Sequence, residues 1–159
     1  MAKTDFPSED ELKKHEADLV FPSFDENTAI AVGMSLVEAG LSAKAPIVID
    51  IRTSDRTLFH VALPGAAPDN DVWAQRKSNF VLRMHCSSML GGVQFKQAGK
   101  TVGPELGMET AAYANHGGSF PIRVAGTGVV AAVTVSGLAQ TEDHRMVVEA
   151  LASVRARSR

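Results

Sequence analysis

Residues 119–137 read SFPIRVAGTGVVAAVTVSG, and the reading of this stretch decides the fold. Two runs, Ser119 to Val124 and Gly128 to Ser136, flank a Gly126-Thr127-Gly128 turn, which is the pattern of a hairpin. The second run is apolar at nearly every position, so it is expected to be a central strand covered on both faces. Upstream, PIVIDIRT (Pro46 to Thr53) and TLFHVALPG (Thr57 to Gly65) are separated only by Ser54-Asp55-Arg56 and read as a second antiparallel hairpin. Connections this short favour an antiparallel sheet over a doubly wound parallel one, whose strands need long crossovers.

Helices fill the chain between and around the hairpins. Ser8 and Glu11 have capping-box spacing and open a helix from about Glu9 to Leu19, which Pro22 ends. Asp25 caps a second helix whose apolar face is read as Ile30, Met34, Val37 and Leu41, with Gly40 as the stop. Asp69 or Asp71 is placed to cap a long third helix running from Val72 toward Gln97, weakened at Gly91-Gly92. Residues 99–115 read as a loop with a turn of helix, interrupted by Gly103-Pro104 and Gly107. A last helix opens at Gln140 or Thr141 and runs through Met146, Val147, Ala150, Leu151 and Val154. The expectation is an α/β (α+β) single domain over residues 1–159, in the order α-α-β-β-α-β-β-α. Residues 1–20 carry the N-terminal helix and residues 155–159 a basic tail of Arg155, Arg157 and Arg159.

Composition bounds the function. A chain of 159 residues that is 45% apolar and 21% charged builds one core and lies far from the disordered class. Sixteen Lys and Arg against 18 Asp and Glu give a net charge of −2, which argues against nucleic acid or an anionic membrane as partner. The one cysteine, Cys86, excludes an intramolecular disulfide and any CxxC site. The charged N-terminus lacks a signal core, so the expected location is cytoplasmic.

Three clusters carry side chains capable of chemistry. In Asn115-His116-Gly117-Gly118-Ser119-Phe120-Pro121, paired glycines admit a close ligand and the imidazole of His116 can ligate or exchange a proton, although a tight turn has the same composition. Arg76, Asn79, Arg83 and Ser87 fall on one side of a helix, where two guanidiniums can clamp a carboxylate or phosphate; a solvated helix face gives the same pattern. In the third, Glu142-Asp143-His144-Arg145, the acids suit a helix N-terminus and His144 is a second candidate ligand. The five histidines form no HxxxH or HxH pair, so no metal site is assigned. His85 and Cys86 are neighbours on a helix and point apart, which is no catalytic dyad.

Several of these segments resemble uncharacterised protein family 0303, a branch of the haem-degrading-domain group with its HbpS-like and GlcG-like proteins. The matching pieces are Trp73-x-x-Arg76-Lys77-x-Asn79 with Val81-Leu82-Arg83, Ser87-Ser88, and the stretch from Gln97 to Lys100. Further on, Tyr113 to Ile122, Val135-Ser136-Gly137-Leu138 and Glu142 to Arg145 match in order, across about Asp18 to Leu151. His85-Cys86 and Gly91-Gly92 depart from it, bulkier residues being expected at the glycines. The resemblance implies a profilin-like antiparallel sheet flanked by helices, a homo-oligomer, and haem as a ligand of the wider group. Three functions fit these residues. One is a small-molecule binding module for haem or a related anion, with Arg76, Asn79, Arg83, His116, Gly117, Gly118, Ser119, Phe120 and His144 at the site and Trp73 on its wall. Another is an enzyme on a small carbonyl or carboxylate metabolite, using His116 as acid/base. The last is an assembly or chaperone-type oligomer without a ligand.

Overall fold

The computed structural model describes residues 6–158. Five helices, α1 (Glu9–Asp18), α2 (Glu26–Ser42), α3 (Pro68–Met84), α4 (Ser88–Gln97) and α5 (Gln140–Arg157), accompany five strands: β1 (Val20–Phe21), β2 (Val48–Arg52), β3 (Thr57–Ala62), β4 (Ser119–Val124) and β5 (Gly128–Ser136). The strand order is β1-β4-β5-β2-β3, with β5 central and all pairings antiparallel except the short β1 beside β4. The expected order of helices and hairpins holds, and the structure adds the two-residue β1, too short to leave a pattern.

Alternation along the strands divides the core. Ile47, Ile49, Ile51, Phe120, Ile122, Ala131, Val133 and Val135 join the main apolar cluster with α2 and α5. The opposite face, under α3, is more polar: Asp50, Ser119, Thr134 and Ser136 are buried there. The hydroxyls of Ser119 and Thr134 are satisfied in a chain, with Ser78 Oγ and Thr134 Oγ1 at 2.9 Å, Thr134 donating to Ser119 Oγ at 2.8 Å, and Ser88 Oγ accepting from the Ser119 amide at 3.0 Å.

Two helix readings are corrected. On α2 most of the expected apolar face points outward: Ile30, Met34 and Leu41 are 51%, 53% and 53% exposed and only Val37 packs against the core, whereas Ala29, Val32, Gly33, Leu36 and Gly40 are buried. Close approach decides it, because a Cβ on Gly33 would stand 2.6 Å from the Phe59 ring of β3. The long third helix is two. His85 adopts φ 57°, a left-handed conformation that ends α3, and Ser87 caps α4 by accepting from the Leu90 amide at 3.1 Å. Neither Asp69 nor Asp71 is the cap of α3. Ala67 occupies that position, Pro68 follows at the first turn, and the acids sit inside it where they favour the helix dipole. Gly91 and Gly92 lie within α4 and have to be small, since side chains there would strike the Phe80 ring and the Asn115 carbonyl. Arg155 and Arg157 belong to the last turn of α5 rather than to a tail, and Arg159 lies outside the described residues. Among the described residues no helix is long and apolar enough to cross a membrane.

Candidate functional site

The inward side of α3 carries Ala74, Ser78 and Val81, and with them, at helical spacing, Lys77. Lys77 is 3% exposed and its ammonium finds three acceptors: Gly117 O at 3.0 Å, Val135 O at 2.8 Å and Asp143 Oδ2 at 3.3 Å. Asp143, in the first turn of α5, also accepts from the Leu138 amide at 3.0 Å. Burial pushes the Lys77 ammonium below its usual range and the Asp143 carboxyl above its own. Three acceptors around one nitrogen nevertheless match three N–H donors and hold the charged form. On the other side of the same turn the Gly117 amide donates to Gln140 Oε1 at 2.9 Å. Gly118 has φ 132°, and a side chain there would strike the Lys77 ammonium and the Val135 carbonyl. The turn from Asn115 to Gly118 is therefore pinned from α3, β5 and α5 at once.

That pinning presents His116. Its ring lies against Trp73 of α3, centroids 5.1 Å apart, while the Arg76 guanidinium covers the Trp73 ring at 4.3 Å. Partial burial, with Lys77 and then Arg76 adding, lowers the His116 pKa and favours a neutral imidazole. Beside it opens a cleft of about 700 Å³ walled by Phe6 and Pro7 ahead of α1 and by Met89, Gly92 and Val93 of α4, with Lys96 and Gln140 also on its lining. His116 also borders a polar cleft of about 240 Å³ that reaches Trp73, Lys77 and Asp143.

The other expected site residues are placed differently. Arg76 donates from Nε to Thr110 O at 2.9 Å, and Asn79 donates from Nδ2 to Ala112 O at 2.8 Å. Arg83 donates to Gly107 O at 2.7 Å and Leu106 O at 3.0 Å, with its guanidinium 5.3 Å from the Tyr113 ring. The stripe thus holds the loop between α4 and β4, in which Pro104–Leu106 form a 3-10 turn. Gly117, Gly118 and Arg76 accompany His116, whereas Asn79 and Arg83 line neither of the clefts just described. Ser119 belongs to the internal hydroxyl chain and Phe120, 1% exposed, to the core. His144 is 3% exposed, faces Phe120 at 6.0 Å and shares a 3.3 Å contact from Nε2 to His15 Nδ1. Burial and then His15 lower its pKa to about 4, and its Nδ1 is buried without a partner. His144 lines neither of the two clefts that His116 borders. Cys86 is partly buried: burial, then Glu16, pushes its thiol up to about 11, which suits a packing residue.

Two polar clusters escaped the sequence. One is the Lys77–Asp143 pair; the signal for it was a lysine on the buried side of α3. The other joins Asp50, Arg52, His60 and Asp71. Asp50, fully buried on β2, accepts from Arg52 Nε and the other arm of its guanidinium at 2.6 and 2.7 Å, and lies 2.7 Å from His60 Nδ1. His60 Nε2 lies 2.7 Å from Asp71 of α3, so one ring bridges two carboxylates. Burial opposes its charge, yet the two acids outweigh that and raise its pKa.

A profilin-like α+β domain with a ligand-sized cleft beside a neutral histidine is the class that this fold and site define. The chain belongs to the family described as haem degrading protein HbpS-like, which it matches over residues 24–152. It is 51% identical to a UPF0303 protein of Streptomyces coelicolor, an alignment covering 91% of this chain and 92% of the relative. The crystal structure of Ybr137w protein is similar at TM-score 0.86 and 31% identity, covering 95% of this chain and 89% of that one. A PduOC:heme complex is similar at TM-score 0.68 and 17% identity, covering 84% and 95%, a likeness of fold.

Proposed function

We propose that the protein is a cytoplasmic small-molecule binding module whose ligand is haem or a flat, amphipathic relative of it, held in the cleft between the start of α1, α4 and His116. The observation that carries this reading is the His116 imidazole, held against Trp73 with no hydrogen bond among the described residues, at the edge of a largely apolar cleft of about 700 Å³. The donor set fits such a group. His116 would supply a nitrogen ligand, Met89 and Val93 the apolar contact, and Lys96 a partner for a carboxylate. Bound iron would supply ligand-binding or redox chemistry that the chain lacks. The chain's own part is to hold His116 in place through Trp73, Lys77 and Gly117. Membership of an HbpS-like family and the fold shared with a haem-complexed protein support the same class of ligand.

Titration with haem, followed by the Soret band, tests this. The expected result is saturation at one haem per chain in the native protein and loss of that saturable band in His116→Ala, with His144→Phe unchanged. Equal binding by His116→Ala would remove His116 from the site.

A second reading, self-assembly, is favoured by the outward α2 face. Ile30, Met34 and Leu41 place three half-exposed apolar side chains on one helix, a face suited to a second copy. Sedimentation of Met34→Glu against the native protein tests it: a smaller particle supports a homo-oligomer through α2, and an unchanged one contradicts it.

A further inference from the structure

The end of α4 and the loop after it enclose another cleft, of about 400 Å³, separate from the apolar one but sharing Gly92, Lys96, Asn115 and His116 with it. Its lining contains three cations, Arg76, Lys96 and Lys100, together with the hydroxyls of Thr101, Thr110 and Tyr113, and no Asp or Glu. In a chain whose acids outnumber its bases by 18 to 16, this local excess runs against the composition.

Several exposed cations elsewhere are neutralised, whereas Lys44, Arg83, Arg155 and Arg157 enter no ion pair among the described residues. Lys13 pairs with Glu9, Lys14 with Asp18, Arg56 with Glu26, and Arg145 with Glu142 and Glu149. Among the described residues Lys96 and Lys100 enter no ion pair. Arg76 donates from Nε to Thr110 O and keeps its face on Trp73, and its two terminal amino groups meet no acceptor among the described residues. A guanidinium fixed by its Nε and by stacking is pre-organised, because little rotamer freedom remains to be lost when a ligand arrives. Two ammoniums on flexible stems complete a set that matches a dense oxyanion in charge, and the hydroxyls can donate to its remaining oxygens.

We propose that the cleft formed by Arg76, Lys96 and Lys100 binds a small ligand bearing two or more oxyanion charges, a polycarboxylate or a phosphate ester. The site adjoins the apolar cleft, with which it shares Lys96 and His116, and does not depend on haem. Trp73 is the single tryptophan, and the Arg76 guanidinium lies on its ring, so its fluorescence reports directly on occupancy.

The test is a fluorescence titration, confirmed by calorimetry, with citrate and with inorganic pyrophosphate as probes and acetate as the singly charged control. The expected result is a saturable response to at least one of the two probes and none to acetate. Affinity should fall with salt, and in Lys96→Gln/Lys100→Gln it should fall at least about tenfold. A response to citrate alone assigns a polycarboxylate, and one to pyrophosphate alone a phosphate ester. The variant Lys13→Gln/Lys14→Gln, which removes two paired lysines, should bind as the native protein does. Val93→Ala alters a wall of the apolar cleft that the anion cleft does not share and should keep the anion response whether or not it weakens haem binding, so this proposal and the haem reading fail separately. No saturable response to either probe, or an undiminished response in Lys96→Gln/Lys100→Gln, would overturn the assignment.

Discussion

Replacing Lys77 by methionine should be among the most destabilising single substitutions in this chain. The side chain is 3% exposed, and its loss leaves the Gly117 and Val135 carbonyls and the Asp143 carboxylate without their shared donor. Removing one partner of a buried pair typically costs about 3–5 kcal/mol, because the remaining charge stays buried without compensation. Set against a total stability of about 5–15 kcal/mol for a domain, that is a large fraction. Urea unfolding followed by circular dichroism would measure it. The cost should depend on pH with a definite sign. Burial already holds the Asp143 pKa above its ordinary value, and losing Lys77 removes the attraction that opposes burial. The folded variant then binds a proton more tightly than its unfolded chain does, so its deficit is largest near neutral pH and shrinks as acidification protonates Asp143. Adding Asp143→Asn should recover part of the loss, since the amide needs no ammonium. A Lys77→Met cost below about 1 kcal/mol, or a double variant whose costs simply add, would refute the reasoning.

Other expectations follow from single contacts. His144 has its pKa depressed to about 4 by burial and then by His15, so the unfolded chain takes up a proton first as pH falls below about 6.5. Stability present above that pH is lost on the way to about pH 4, on the order of 3 kcal/mol, and thermal melts of His144→Phe should show a flatter acid limb. His60 behaves in the opposite sense: its raised folded pKa makes the bridge between Asp50 and Asp71 fully stabilising below the unfolded pKa and weaker as pH rises through the folded one. The stability gap between native protein and His60→Gln should therefore narrow on going from acid to alkaline buffer. Arg83→Ala frees the Leu106 and Gly107 carbonyls, and limited proteolysis should cut faster between residues 104 and 112 while haem titration is unchanged. A cleavage rate equal to that of the native protein would mean that Arg83 does not hold the loop.

Strands β2 to β5 and α5 were legible because their patterns are local: a β-branched run, a Gly-Thr-Gly turn and an apolar spacing each fit within a few residues. The inner side of α2 was not, since Ile30, Met34 and Leu41 form as good an apolar stripe as Val32 and Leu36. What separates the two stripes is the contact of Gly33 with Phe59, which hydropathy does not encode. The break between α3 and α4 depends on a left-handed His85, with neither Gly nor Pro to announce it, although Ser87 was a capping signal. At the site, His116-Gly117-Gly118 was readable as a place where backbone and imidazole meet. Lys77 was hidden because its carboxylate partner is 66 positions away, and the loop-holding contacts of Arg83 because they are made to main-chain carbonyls that carry no sequence signature.

The central claim is that His116 and the apolar wall of α4 hold one flat amphipathic ligand. It is tested most directly by NMR of the protein titrated with zinc protoporphyrin, a diamagnetic haem substitute whose ring current marks its neighbours. The account predicts that the His116 ring and the methyl groups of Met89 and Val93 shift together and saturate at one porphyrin per chain, while His144 and His60 stay in place. Shifts confined to other histidines, or spread over the exposed α2 face without saturation, would contradict it.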